Sequence, residues 1–118
     1  MGERRVLVVD DEAGVRNLLK SSLEIAGYAV DTASDGIEAL RLWKERAYGL
    51  VITDLVFLSG GIDLVQTIRA ADDQVPILAI TGYGQEVAQE ALDLGADHVL
   101  RKPFHLFELR ELVERFIG

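Results

Sequence analysis

Short runs of branched apolar residues alternate along this chain with longer stretches in which apolar positions recur every three or four residues. Arg5-Val6-Leu7-Val8-Val9 is almost continuously apolar, as a strand buried on both faces requires, and it breaks abruptly at Asp10-Asp11-Glu12. Val15, Leu18, Leu19, Ser22, Leu23 and Ala26 then fall at helical spacing, with Gly27 placed to close the helix as its C′ residue. Tyr28 to Thr32 reads as a second, shorter strand. Asp35 and Glu38 have the spacing of a capping box for a helix carrying Ile37, Leu40, Trp43 and Ala47. Leu50-Val51-Ile52-Thr53-Asp54 is a third strand that ends in one carboxylate, and a loop and a helix from about Ile62 to Ala71 follow. The fourth strand, from Val75 to Ile80, tolerates Pro76 at its start and ends in Thr81-Gly82-Tyr83-Gly84. A helix through Ala88, Ala91 and Leu92 stops at Gly95. Asp97 to Arg101 is a fifth strand ending in Lys102-Pro103, and Leu109, Leu112, Val113 and Phe116 share one face of the last helix.

Five strand–helix repeats with short connections predict an α/β fold, a doubly wound parallel sheet covered by helices on both faces. With 118 residues and no linker or low-complexity stretch, residues 1–118 form a single domain. Functional groups in such folds gather at the carboxyl ends of the strands. Asp10 and Asp11, Asp54, Thr81 and Lys102 each end a predicted strand, so the topology brings these polar residues towards one crevice.

Composition narrows the function classes. The chain has no cysteine, which excludes disulfides and thiolate metal sites and fits a cytoplasmic location. A net charge of −8 and a pI near 4.6 argue against direct nucleic-acid binding. No apolar run approaches a membrane span, and Met1 to Arg5 leads into a strand rather than a signal peptide.

Three carboxylates in one crevice repel each other unless a cation is present. Aspartates with carbonyls and water suit Mg²⁺, a hard ion that keeps several waters. A lysine is a good point charge for phosphate, and a threonine hydroxyl can donate to one more phosphoryl oxygen. Cation, ammonium and hydroxyl around one aspartate are what phosphoryl transfer to a carboxylate requires. Alone, each residue has a plainer reading: a strand-end aspartate as a helix cap, Thr81 as a turn residue, Lys102 as a solvated charge. His98 reads as a strand residue and His105 as a surface helix residue, neither with a catalytic task.

Taken together, Val9-Asp10-Asp11-Glu12, Ile52-Thr53-Asp54, Ile80-Thr81-Gly82, Gly95-Ala96-Asp97 and Leu100-Arg101-Lys102-Pro103-Phe104 resemble, in order and spacing, the receiver domain of two-component response regulators. The resemblance covers essentially the whole chain. It implies a CheY-like, flavodoxin-like (βα)5 fold with strand order 2-1-3-4-5 and a cis Lys102-Pro103 peptide. It also implies Asp54 as phosphoryl acceptor and Mg²⁺ ligand, Asp11 as a direct Mg²⁺ ligand, Asp10 as a ligand mainly through water, and the Val56 carbonyl as a further ligand, with Mn²⁺ as a substitute ion. Thr81 and Lys102 would hold the phosphoryl oxygens. The implied partners are a sensor histidine kinase or phosphotransfer protein, which the family docks at the edge of the first helix near Val15 and Leu18, and an output domain or effector protein. The implied state is a monomer or a weak phosphorylation-dependent dimer. A switch in the surface of the fourth helix, fifth strand and fifth helix would carry the signal. The domain would catalyse only its own phosphorylation and dephosphorylation and would not be an enzyme acting on an external substrate.

The chain departs from the family pattern in three places. Leu58 stands where a proline is usual, Ser59-Gly60-Gly61 contracts the following turn, and Val99 replaces the aromatic residue three before the lysine. Phe57 and Leu58 are apolar in a loop, consistent with burial or with a partner contact, and Tyr83 is an alternative aromatic for the readout. Val56 offers no polar side chain to orient an attacking water, which implies a long-lived phosphoryl state. The departures also motivate a competing class, a divergent receiver-like interaction module that works without phosphorylation. A phosphatase fails for want of a second acid at Val56, and a dinucleotide-binding fold fails because acids, not glycines, follow the first strand.

Overall fold

The computed structural model describes residues 4–55, 61–82 and 84–118. The expectations for Val56, Phe57, Leu58, Ser59, Gly60 and Tyr83 lie outside the described residues. The chain runs β1 (Arg5–Val9), α1 (Ala13–Ile25), β2 (Ala29–Ala33), α2 (Gly36–Glu45), β3 (Leu50–Asp54), α3 (Gly61–Ala71), β4 (Ile77–Thr81), α4 (Gln85–Asp93), β5 (His98–Arg101) and α5 (Leu106–Ile117). Among the described residues all strand pairings are parallel, in the order β2-β1-β3-β4-β5. The expected topology is therefore present.

Alternation along each strand divides the core into two layers. Val6 and Val8 of β1, Ile52 of β3 and Ile80 of β4 pack with Leu19 and Leu23 of α1 and Leu109, Leu112 and Val113 of α5. Leu7, Val9, Val51 and Ala79 point the other way, against Ala39 of α2, Leu64, Val65 and Ile68 of α3 and Ala91 of α4. Burial on both faces explains why the strands read as continuous apolar runs instead of alternating ones.

The turns that deliver the chain to the next strand follow the sequence closely. Gly27 and Gly95 both have positive φ. At each, the glycine N–H reaches the carbonyl three residues back and the next N–H reaches one five residues back: Gly27 to Glu24 with Tyr28 to Leu23, and Gly95 to Leu92 with Ala96 to Ala91. These paired bonds stop α1 and α4 in the way a left-handed C′ glycine permits. At α2, Asp35 accepts from the Glu38 N–H at 2.8 Å, but the return bond runs from the Ser34 N–H to Glu38 Oε1 at 2.7 Å, one residue earlier than the pattern predicts.

Several apolar positions are not where the periodicity puts them. Leu18 is 52% exposed, Ile37 80% and Leu92 40%, and Ala47 lies beyond the end of α2. In α2 the inner face is Gly36 and Ala39, with Leu40, Leu42 and Trp43 packed beside them, because small residues let the helix approach the sheet. Pro76 precedes β4, and His105 is the N-cap of α5 rather than a residue within it.

Candidate functional site

The sheet register gathers the predicted residues. Asp54 ends β3, with Ile80 of β4 as its register partner, and the Leu55 N–H donates to the Ile80 carbonyl at 2.9 Å. Thr81 is paired with Arg101, and the Lys102 N–H donates to the Thr81 carbonyl at 2.8 Å, which fixes the backbone of the lysine beside the threonine. Asp10 follows β1 and donates its N–H to the Ala33 carbonyl at 3.1 Å. The Lys102-Pro103 peptide is cis, as the resemblance implied. The ends of β1, β3, β4 and β5 thus form one crevice.

Within it, Asp54 is only 2% exposed, and Lys102 Nζ donates to its Oδ2 at 2.6 Å. Burial alone would pull the lysine pKa down. The hydrogen bond and charge of Asp54, with the charges of Asp10 and Glu12, outweigh it and hold the ammonium above its ordinary value. Thr81 is fully buried at the end of the adjacent strand.

Asp10 is 1% exposed. Its Oδ1 accepts the Glu12 N–H at 2.9 Å, whereas its Oδ2 meets no hydrogen-bond donor among the described residues. Burial, with the neighbouring Asp54 carboxylate, pushes its pKa up to about 6, against the lowering influence of the Glu12 N–H and Lys102. A buried carboxylate oxygen without a donor is costly in a finished structure. One ligand oxygen from each of Asp10, Asp11 and Glu12 lies within 4.8 Å of the others, Asp11 and Glu12 being exposed. An orphaned buried oxygen beside an all-carboxylate cluster fits a hard divalent cation such as Mg²⁺.

The site so assembled contains Asp10, Asp11, Asp54, Thr81 and Lys102, while Val56 lies outside the described residues. Sequence reasoning passed over two neighbours. Glu12 belongs to the acidic cluster, a role its place in the Asp10-Asp11-Glu12 run would have suggested. Arg16, one helical turn further on, donates from Nη1 to the Asp10 carbonyl at 2.7 Å and anchors the turn that carries the acids; nothing in the sequence marked it.

Comparison with known proteins matches residues 6–114 to the family described as the response regulator receiver domain. The chain belongs to that family. Among curated relatives, this receiver is 43% identical over 110 residues to the probable transcriptional regulator ycf27 of Guillardia theta, covering 91% of this chain and 42% of that protein. It is 39% identical over 107 residues to the response regulator MprA of Mycobacterium leprae, covering 89% and 47%. The receiver chain thus spans less than half the length of these relatives. Among solved structures, the chemotaxis response regulator CheY4 of Vibrio cholerae matches with a TM-score of 0.88 at 32% identity, over 96% of this chain and 98% of that chain. The response regulator TrrA of Thermotoga maritima matches with a TM-score of 0.88 at 35% identity, over 97% and 99%. No helix among the described residues of the receiver is long and apolar enough to cross a membrane.

Proposed function

We propose that this receiver accepts a phosphoryl group on Asp54 from the phosphohistidine of a sensor histidine kinase or phosphotransfer protein, in a Mg²⁺-dependent reaction within the cytoplasm. The observation that carries the proposal is the buried Asp54 carboxylate at the end of β3, held 2.6 Å from Lys102 Nζ. An oxygen lone pair of Asp54 attacks phosphorus, and the phosphorus–nitrogen bond breaks with its electron pair returning to the imidazole. Lys102 exchanges its contact with Asp54 for one with a phosphoryl oxygen, and the Thr81 hydroxyl donates to another. Asp10, Asp11, Asp54 and the Val56 carbonyl would hold Mg²⁺, or Mn²⁺ in its place, and the ion would supply charge neutralisation on the transferring group. The solved TrrA receiver is a complex with Mg²⁺-BeF, which supports this reading for a chain 35% identical to it.

The acyl phosphate so formed is a local charge change that biases the α4–β5–α5 surface, and an output domain or separate effector reads the result. The receiver is a signalling domain that turns over only its own phosphoryl group, as a monomer or a phosphorylation-dependent dimer.

One observation favours a second reading. Val99, where relatives carry a mobile aromatic, is partly buried and packs against the core layer of α2, α3 and α4. A receiver-like interaction module that works without phosphorylation would need no residue that swings.

Incubation with acetyl phosphate and Mg²⁺, followed by intact mass measurement, separates the two. The expected outcome is one phosphoryl adduct that persists for minutes, since Val56 presents no polar side chain to a water, and that disappears in Asp54→Asn. No adduct, or an adduct that survives Asp54→Asn, rejects phosphoryl acceptance; loss within seconds rejects the long-lived state.

A further inference from the structure

Glu12 has no task in the chemistry described so far. It is the N-cap residue of α1, yet its side chain makes no capping hydrogen bond. Glutamate is not among the residues that cap well, so its contribution to the helix is limited to its charge at the N-terminus. What its carboxylate does have is company: an oxygen from each of Asp10, Asp11 and Glu12 lies within 4.8 Å of the others.

Exposed acids cluster on many surfaces without consequence, and the cluster alone would decide nothing. The independent observation is Asp10, whose buried Oδ2 meets no hydrogen-bond donor among the described residues. Arg16, the nearby cation on α1, directs Nη1 to the Asp10 backbone carbonyl.

We propose that Glu12 is a third carboxylate of the cation site, adding its charge, directly or through a bound water, to the divalent ion held by Asp10 and Asp11. The inference rests on the Mg²⁺ reading of the site. It follows from a hard ion that keeps several waters and has room for an outer acid. A carboxylate on the rim strengthens binding without touching the acceptor.

Calorimetric titration of the whole chain with MgCl₂, near neutral pH and at roughly physiological salt, tests it. Wild type should bind and Asp11→Asn should lose binding. Glu12→Gln should raise Kd about five- to tenfold, as loss of one charge a few ångströms from a divalent ion does. Glu24→Gln, which removes the same charge from the far end of α1, should change Kd less than about twofold, because salt screens distant exposed charges. Unchanged affinity in Glu12→Gln with binding lost in Asp11→Asn overturns the inference and leaves the Mg²⁺ reading intact. Equal weakening by Glu24→Gln overturns it as well. A wild-type chain that binds no Mg²⁺ removes both readings.

Discussion

The two ends of the sheet treat their charges by opposite rules. Around the amino ends of the strands the carboxylates are satisfied. Asp31, midway along the edge strand β2, is met by residues at the starts of β1 and β3: Arg5 Nη1 at 3.2 Å, Arg46 Nε at 3.6 Å and the Tyr48 hydroxyl at 2.8 Å. Asp97 Oδ2 takes both Arg69 Nη2 and the Ile77 N–H at 2.8 Å, tying α3 to the starts of β4 and β5. Around the carboxyl ends, Asp10, Asp11, Glu12 and Asp54 crowd together, Lys102 pairs with Asp54, and Asp10 Oδ2 meets no hydrogen-bond donor among the described residues. Charges that hold the scaffold arrive with their partners, whereas those of the proposed phosphorylation site are crowded with like charges. Substitutions at the two ends should therefore differ in sign.

The largest effect is expected from Asp97→Ala. It strands the Arg69 guanidinium and leaves the Ile77 N–H, at the start of a fully buried strand, without its acceptor. Charge-assisted bonds of this kind are worth about 1.5–3 kcal/mol, and the partial exposure of Asp97 argues for the lower half of that range. Urea unfolding should show a loss of about 2 kcal/mol with an unchanged m-value, and no change in Mg²⁺ affinity. A neutral result would mean that pairing at this end is not what holds it.

Asp10→Asn should do the reverse. In the absence of Mg²⁺ the buried carboxylate is held up to about 6 from its ordinary 3.8. A raised carboxyl pKa means that its stabilising contribution is complete below the unfolded value and is lost as pH rises through the folded one. At neutral pH the group is ionised and unfavourable. Asparagine removes that cost and weakens the bond from the Glu12 N–H, a net gain of about 1–2 kcal/mol. The gain should shrink as pH falls through 6, where wild-type Asp10 takes up its proton. Saturating Mg²⁺ at neutral pH should reverse the ranking, because ligand binding stabilises only the state that binds it. Thermal melts with chelator and with Mg²⁺, across this pH range, measure all three outcomes.

The contrast between the two ends also explains what the sequence made legible. Continuous apolar runs such as Val6 to Val9 announce parallel strands because both faces are buried, and acids at their ends announce a crevice because topology brings strand ends together. Asp54 and Lys102 lie 48 residues apart in sequence and 2.6 Å apart in space, and the strand pattern was enough to predict that meeting. The scaffold pairs were not predictable in this way. Asp97 stands out in the sequence only as part of the Gly95-Ala96-Asp97 mark, and nothing ties it to Arg69 until the end of α3 is placed beside the start of β5. Arg16 escaped notice for the same reason, since its partner is a backbone carbonyl and carries no signature. Helix faces were the least certain element. Leu18, Ile37 and Leu92 satisfy helical periodicity but are exposed, because a helix lying on a sheet buries a narrow stripe and Gly36, Ala39, Ala88 and Ala91 fill it where contact is closest.

The smallest effect is expected at Tyr48, and it sharpens the comparison because this residue also has a raised pKa, at the opposite end from Asp10. Burial comes first among the causes, followed by the hydrogen bond and charge of Asp31, and together they hold the phenol well above its ordinary value. Asp10 is raised largely by burial beside a like charge, with one oxygen lacking a donor; Tyr48 is raised while donating a good hydrogen bond at 2.8 Å. Tyr48→Phe should therefore destabilise at neutral pH, by about 1 kcal/mol, the net worth of one buried hydrogen bond. The sign of the pH dependence follows from the linkage. The contribution of a phenol raised in the folded state is complete below the unfolded pKa near 10 and declines as pH rises above it, because the unfolded chain then loses its proton first. The gap between wild type and Tyr48→Phe should stay constant to about pH 9 and close above about pH 10. Trp43, stacked on Tyr48 with ring centroids 6.3 Å apart, supplies the fluorescence signal for both proteins. A gap that opens with alkalinity instead would show that Asp31 tolerates the phenolate beside it, and that the amino end of the sheet is less completely satisfied than its geometry indicates.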